Sequence, residues 1–306
     1  MPTSRQGSIR LFRFAGIDLF LHWSWFLVAV FEVNARAGRY SSIAWNVMEY
    51  LALFLIVMLH EYGHALACRQ VGGRANQIVL WPLGGVAYVD PPPRPGATLW
   101  SIAAGPLVNV ALFPILLVLM TFGRSLEWAR TMPNALALLW SVSVMNVALL
   151  MFNMLPIYPL DGGQIVRSLL WFVLGRARSL MVATLIGLVG VAGLILIALR
   201  IHSVWFGILS AFILMNCWSG LKQSLALLRL AKLPRRDGFA CPWCKAAPPL
   251  GNFWTCGQCR TIFDIFKTNA TCPRCATELA AAQCLECGRP HPLNDWMVPA
   301  LVAPKV

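Results

Sequence analysis

Charge is scarce in this 306-residue chain, and acidic charge is scarcest: Asp and Glu together number 12, and all charged residues make up 12%. With 58% hydrophobic residues and a mean hydropathy of +0.66, that scarcity excludes an ordinary soluble domain, in which about a quarter of residues are charged. A small-residue cleavage pattern is also missing after the basic residues Arg5, Arg10 and Arg13. The apolar run that follows continues through Trp23 and Trp25, so a retained helix is expected there, not a removed signal peptide. A basic stripe is missing as well. In Cys241–Val306, Lys245, Arg260, Lys267, Arg274, Arg289 and Lys305 are interspersed with Asp264, Glu278, Glu286 and Asp295, which argues against nucleic acid as a partner despite a formal charge of +13. Most of that charge flanks apolar runs, where it suits the anionic surface of a lipid bilayer.

What is abundant is hydrophobic length. Runs near the 20 residues that cross a bilayer occur over Ile17–Val33, Ala44–Cys68, Thr98–Met120, Ala135–Leu155, Leu180–Leu199 and Val204–Leu221. These predict an all-α polytopic membrane protein of about six transmembrane helices. Placing the N-terminus in the cytoplasm puts Arg5, Arg10, Arg13, Arg69, Arg74, Arg94, Arg167, Arg176, Arg178, Lys222, Arg229, Lys232, Arg235 and Arg236 inside. Only Arg36, Arg39, Arg124, Arg130 and Arg200 then fall outside. The bias predicts a multi-pass cell-membrane protein with both termini cytoplasmic.

HEYGH, His60–His64, stands near the end of the second run, after the uncharged stretch Leu51–Leu59. Residues four apart share a helix face, so His60 and His64 can hold one metal ion, with Glu61 about 100° round the helix beside the open position. Two imidazoles and a carboxylate form a catalytic zinc set that leaves the fourth position to water. Asp161, in NMLPIYPLDGG at Asn153–Gly163, is the best candidate for the third ligand. Pro156 and Pro159 interrupt the fourth run just before it and let the carboxylate leave the helix path. The chemistry implied is peptide hydrolysis, with Glu61 as the base that takes a proton from water and passes it to the leaving amine. The site would lie roughly 10 Å in from the cytoplasmic end of its helix, at 1.5 Å per residue.

Between the second and third runs, Gln77–Val89 (QIVLWPLGGVAYV) reads as two short strands about a Pro-Leu-Gly-Gly turn, a hairpin re-entering the membrane against protein. Its edge, with Gly84 and Gly85, could hold an unwound substrate segment extended; the alternative is a structural plug. Asn153 is a candidate substrate contact, or a partner for carbonyls freed by the prolines. His22 beside Trp23 and Trp25 reads as an interfacial residue, and Cys68 and Cys217 as packing residues.

The remaining eight cysteines form four C-x2-C pairs: Cys241 with Cys244, Cys256 with Cys259, Cys272 with Cys275, and Cys284 with Cys287. Two pairs complete one tetrahedral thiolate site, so two structural zinc ions are expected beside the catalytic one. Intervals of 11 and 8 residues between successive pairs favour sequential pairing, with interleaved pairing open. The resulting organisation is a membrane domain over 1–230, a linker over 231–238 and a small cytoplasmic zinc-ribbon domain over 239–306. So short a tail would depend on metal for much of its stability.

HEYGH, the PLGG segment after it, SIAAGPLVN at Ser101–Asn109, and N-x-x-P-x-x-P-L-D-G at Asn153–Gly162 together resemble the site-2 protease family of intramembrane zinc metalloproteases, over roughly Phe14–Leu230. The resemblance implies a six-helix membrane domain with a three-helix catalytic core, His60, His64 and Asp161 as zinc ligands, and Glu61 as base. It implies membrane-spanning regulatory proteins as substrates, and a place for Asn109 in orienting substrate or the developing oxyanion. An Asn in a membrane helix also commonly bonds a neighbouring helix. The ribbons depart from the family's usual cytoplasmic domains and read as a module for a cytoplasmic protein partner. A different reading of the whole chain is a catalytically idle membrane anchor whose ribbons recruit that partner; an idle relative would be expected to have lost Glu61 or a ligand.

Overall fold

Inside hydrocarbon a backbone must satisfy its own hydrogen bonds, and long uncharged runs do so as helices. The computed structural model describes residues 7–36, 38–81 and 84–297, with backbone alone over 84–87; Arg5 lies outside that range. Among the described residues the helices are α1 (Ser24–Ala35), α2 (Ile43–Gln70), α3 (Pro95–Ser125), α4 (Trp128–Thr131), α5 (Pro133–Asn153), α6 (Asp161–Arg200) and α7 (Val204–Ala231). Five of them, α2, α3, α5, α6 and α7, are long and apolar enough to cross a membrane. Their packing is apolar outside and polar inside. Val118, Val189 and Met215 are 64%, 75% and 71% exposed, whereas Ser101, Asn109, Asn146, Ser168 and Thr184 are fully enclosed. Lipid accepts the first set at no cost, and the protein interior gives the second set the partners that lipid lacks. Glu49, 2% exposed within α2, is neutralised by Arg36 at 2.5 Å, as a carboxylate in a membrane helix requires.

The first predicted span does not form one helix. Ile17–His22 is a strand, and α1 is 12 residues long, about 18 Å at 1.5 Å per residue, against a hydrocarbon core of about 30 Å. The reason is burial on both faces: Ile17, Leu19 and Phe20 are all enclosed in the interior of a sheet. A strand buried on two sides carries apolar residues at successive positions, here Leu19 to Leu21, and so adds to an apolar run as a membrane helix does.

That sheet comprises β1 (Ser8–Phe14), β2 (Ile17–His22), β3 (Arg74–Trp81) and β4 (Gly84–Asp90), in that order, with β2 and β3 parallel and the outer pairs antiparallel. The expected hairpin is present as β3 and β4, although Pro82 and Leu83 of its turn lie outside the described residues. It is one half of a larger sheet and does not stand alone as a re-entrant pair. Tyr62, Ala65 and Cys68 of α2 pack against Ile17, Leu19, Ile78 and Leu80. One face of the HEYGH helix is thus seated on β2 and β3, with β4 at the edge of the sheet. His22 stacks on Trp81 with ring centroids 3.8 Å apart.

A loop, Met154–Leu160, joins α5 to α6. The latter turns at Gly175, whose φ of +76° is a left-handed value glycine adopts freely. The part of α6 beyond this kink holds the predicted fifth span. The part before it, predicted as a connection bearing Arg167, is helical and has Asp161 in its first turn.

The chain divides into two compact units, Met1–Pro91 with Pro95–Leu221 and Pro92–Arg94 with Lys222–Val306. The second carries β5 (Trp254–Thr255), β6 (Ile262–Phe263), β7 (Ala282–Gln283) and β8 (Pro290–His291), paired as two antiparallel hairpins. Its core is aromatic: Phe266 meets Phe239, Trp254 and Trp296 edge-on at 5.3, 5.2 and 5.1 Å. Residues 231–238, expected as a linker, are fixed to this unit. Arg235 pairs with Glu286 at 2.8 Å and Arg236 with Asp264 at 2.5 Å.

Candidate active site

Helical period and helix crossing assemble the site. His60 and His64 project from one face of α2, their rings 4.8 Å apart. Asp161 reaches them from the start of α6: its Oδ2 lies 3.0 Å from His60 Nε2 and 3.4 Å from His64 Nε2, and the two Nε2 atoms are 3.1 Å apart. Glu61 is buried beside His60. Two close approaches require glycine. A Cβ on Gly105 of α3 would lie 2.2 Å from His64 Nε2, and one on Gly162 would lie 2.3 Å from the Met154 carbonyl oxygen. Any other residue would displace the imidazole in the first case, or the fold-back of the loop onto α6 in the second.

The outer ring nitrogens fix the tautomers. The Ser101 carbonyl can only accept, so His64 Nδ1 carries the proton and donates at 2.9 Å. His60 is set through a longer chain. The amide of Asn146, on α5, donates from Nδ2 to the Asn109 backbone carbonyl at 2.9 Å, which leaves its Oδ1 to accept from Asn109 Nδ2 at 2.8 Å. Asn109 Oδ1 then accepts from His60 Nδ1 at 2.6 Å. With Nδ1 of both rings engaged, both Nε2 atoms face the Asp161 carboxylate oxygen and are the ring atoms left to bind a common ion.

Two Nε2 atoms and one carboxylate oxygen stand 3.0 to 3.4 Å from one another, and once deprotonated all three can bind one cation. Tetrahedral zinc with ligands at 2.0–2.1 Å demands an edge of about 3.3 Å. The residues fit that ion in number, chemistry and spacing, and the three could hold it together.

The other sequence-predicted residues are distributed as follows. Asn109, expected near substrate or oxyanion, is fully enclosed and engaged at both ends of its amide; the geometry favours orientation of His60, through a bond to a neighbouring helix. Asn153 ends α5, half-buried, with no side-chain hydrogen bond among the described residues. Gly84 and Gly85 open β4, paired with Trp81 and Leu80. Asn146 was missed by sequence reasoning, because a single Asn in an apolar helix carries no spacing signature.

The ribbon cysteines gather as two groups, Cys241, Cys244, Cys284 and Cys287 in one and Cys256, Cys259, Cys272 and Cys275 in the other. The pairing is nested, which corrects the sequential expectation. The physical reason is closure of the chain ends. Ala240 N–H donates to the Trp296 carbonyl at 2.8 Å, and Phe239 bridges Met297, so the first and last pairs meet around the aromatic core. Sulfur separations of 3.8 and 3.6 Å in the outer group and 3.6 and 3.5 Å in the inner match the edge of about 3.8 Å for thiolates 2.3 Å from zinc. In the outer group the hydrogen bond from Cys284 pulls the Cys244 thiol down to about 5, and the same bond, with burial, pushes Cys284 up.

The pattern of peptidase family M50 matches residues 48–131 and 127–197, the stretch that holds His60, Glu61, His64, Asn109, Asn146 and Asp161. The solved site-2 protease from Methanocaldococcus jannaschii is 30% identical with a TM-score of 0.52, covering 70% of this chain and 95% of that one. The chain belongs to the site-2 protease family, peptidase family M50. A zinc metalloprotease of the same archaeon is 36% identical over 180 residues, 59% of this chain and 50% of that protein. Stage IV sporulation protein FB of Bacillus subtilis is 30% identical over 122 residues, 38% of each. The chain spans about half the length of the curated relatives it matches. The family match ends at residue 197, so the ribbon unit lies outside it.

Proposed function

We propose that this membrane protein is an intramembrane zinc endopeptidase that hydrolyses peptide bonds within or near transmembrane segments of membrane-bound regulatory proteins. The observation that carries this reading is the convergence of His60 Nε2, His64 Nε2 and Asp161 Oδ2, all within 4.8 Å, inside a bundle whose outer surface is apolar. Zinc held there supplies Lewis acidity, bringing the pKa of water to about 7 and polarising a carbonyl.

The chain's own residues do the rest. His60 and His64 present their Nε2 atoms because Asn109 and Ser101 hold the opposite nitrogens. Glu61 accepts the proton of the attacking water and delivers it to the leaving amine, a role worth about 10² to 10⁴ in rate. Asn153, whose amide has no hydrogen-bond partner among the described residues, is placed in this reading as a substrate or oxyanion contact. The edge of β4, beginning at Gly84 and Gly85, pairs with an unwound stretch of substrate, since a helical substrate hides its scissile amide in its own hydrogen bonds. In this reading β2 and α1 together, Ile17–Ala35, make the first of six crossings, and the basic residues flanking the six runs then support cytoplasmic N- and C-termini. The ribbon unit, lacking a basic stripe, then serves as a cytoplasmic protein-binding module.

The test is the full chain reconstituted in vesicles with single-span substrates. Cleavage by the zinc-loaded protein, its loss on chelation and its return on adding zinc are expected. Cleavage untouched by chelation, or no cleavage of any single-span substrate, would overturn the reading; the second outcome would favour an anchor whose ribbons recruit a partner.

A further inference from the structure

Asp161 is held differently from the two histidines. They sit on a continuous helix, whereas Asp161 follows the loop Met154–Leu160, and a metal ligand must be placed to within about 0.2 Å. The loop makes few bonds of its own: Ile157 N–H to the Leu155 carbonyl at 2.7 Å, and Leu160 N–H to the Ile157 carbonyl at 2.8 Å. The carbonyl of Tyr158, three residues before Asp161, receives its donor from elsewhere. The thiol of Cys217, on α7, donates to it at 2.9 Å.

Around that bond α6 and α7 are pared down to let the loop enter. A Cβ on Gly187 of α6 would stand 2.7 Å from Cys217 Sγ and 3.1 Å from both Tyr158 N and Tyr158 O. A Cβ on Gly220 of α7 would stand 2.6 Å from Thr184 Cγ2 and 3.0 Å from Tyr158 Cε1. Small residues at a membrane helix crossing allow close approach, and here the approach admits a loop. Ile157, next to Tyr158, is buried with Val191, Ile213 and Cys217. Between Tyr158 and Asp161, Pro159 has a fixed φ, so displacement of Tyr158 passes on to the carboxylate.

We propose that α7 braces the third metal ligand: Cys217 and Gly220, acting through Tyr158, are positioning residues for Asp161. The proposal rests on the reading of His60, His64 and Asp161 as a zinc site.

The test uses the full-length, zinc-loaded protein and reads metal, not turnover. Zinc per chain is counted after equilibration with a graded chelator, the ribbon ions serving as an internal reference for the amount of protein, and circular dichroism checking that the membrane helices are kept. Gly220→Val, which crowds Thr184 and Tyr158, is expected to weaken the non-ribbon ion about 10- to 100-fold, the range for loss of a residue that orients a ligand. Cys217→Ala is expected to weaken it in the same direction, and Cys217→Ser, which keeps a donor for the Tyr158 carbonyl, to restore it. In an Asp161→Ala background, Gly220→Val should add nothing, because the residue it acts through is gone.

Equal weakening with and without Asp161, or an unchanged chelator midpoint in Gly220→Val, would overturn the brace. If Gly220→Val fails to fold, the Cys217 pair decides: Ser behaving like Ala would overturn the proposal as well. A wild-type chain with no ion beyond those of the ribbons would refute the zinc reading itself, a result distinct from every outcome among the variants.

Discussion

Replacing Asn146 with Leu should loosen the metal without touching a ligand. Asn146 is fully enclosed and makes two hydrogen bonds, accepting from Asn109 Nδ2 at 2.8 Å and donating to the Asn109 carbonyl at 2.9 Å. Leucine has similar bulk and neither group. Two buried polar atoms then lose a partner, at about 1–3 kcal/mol each, and the Asn109 amide loses the contact that dictates which end faces His60. With that end free to turn, His60 can present the wrong nitrogen. The expected loss of affinity is about 10- to 100-fold, or about 1.4–2.7 kcal/mol. The assay is chelator competition on the full chain, with Ser210→Ala as control: Ser210 is buried and, among the described residues, bonds the Phe206 carbonyl of its own helix at 2.7 Å. A shift of the non-ribbon ion in Asn146→Leu alone is the predicted result. An unchanged midpoint, or an equal shift in Ser210→Ala, would refute the orienting hydrogen-bond chain from Asn146 through Asn109 to His60.

Further outcomes follow from the same geometry. Gly105→Ala places a methyl 2.2 Å from His64 Nε2, so it should lose the non-ribbon ion while retaining ribbon zinc by elemental analysis; retention of all zinc would contradict the close crossing of α2 and α3. Nested pairing predicts that Cys241→Ser with Cys287→Ser removes one ribbon ion, and Cys241→Ser with Cys259→Ser removes both; sequential pairing predicts the reverse. The whole chain should hold about three zinc ions, falling to about one when residues 239–306 are deleted. A full-length count near one would refute the two-ribbon arrangement.

The legibility of this molecule in its sequence varies with the range of the interaction. His60, Glu61 and His64 were readable because helix periodicity alone places them, and Asp161 because two prolines mark where a helix must yield. The first apolar run misled, because Ile17, Leu19 and Phe20 are enclosed on both faces of a central strand and, despite Asp18 between them, keep the run as apolar as a span. Asn146 was invisible for another reason. Its importance comes from one neighbour on another helix, Asn109, and no local pattern records that. The ribbon pairing was ambiguous because four equal C-x2-C units look alike in sequence. The choice is made at long range by the contact of Ala240 with Trp296, which brings the two ends of the unit together.

Where a peptide is cut, and by which residue, separates an intramembrane protease from an anchor. The decisive measurement is mass-spectrometric mapping of the products from a single-span substrate in vesicles, comparing the wild-type chain with Glu61→Gln. The prediction is a cut inside the apolar segment by the wild type and a rate at least about 10²-fold lower in the variant. Cuts confined to the flanking segments, or an identical product pattern and rate from Glu61→Gln, would contradict it.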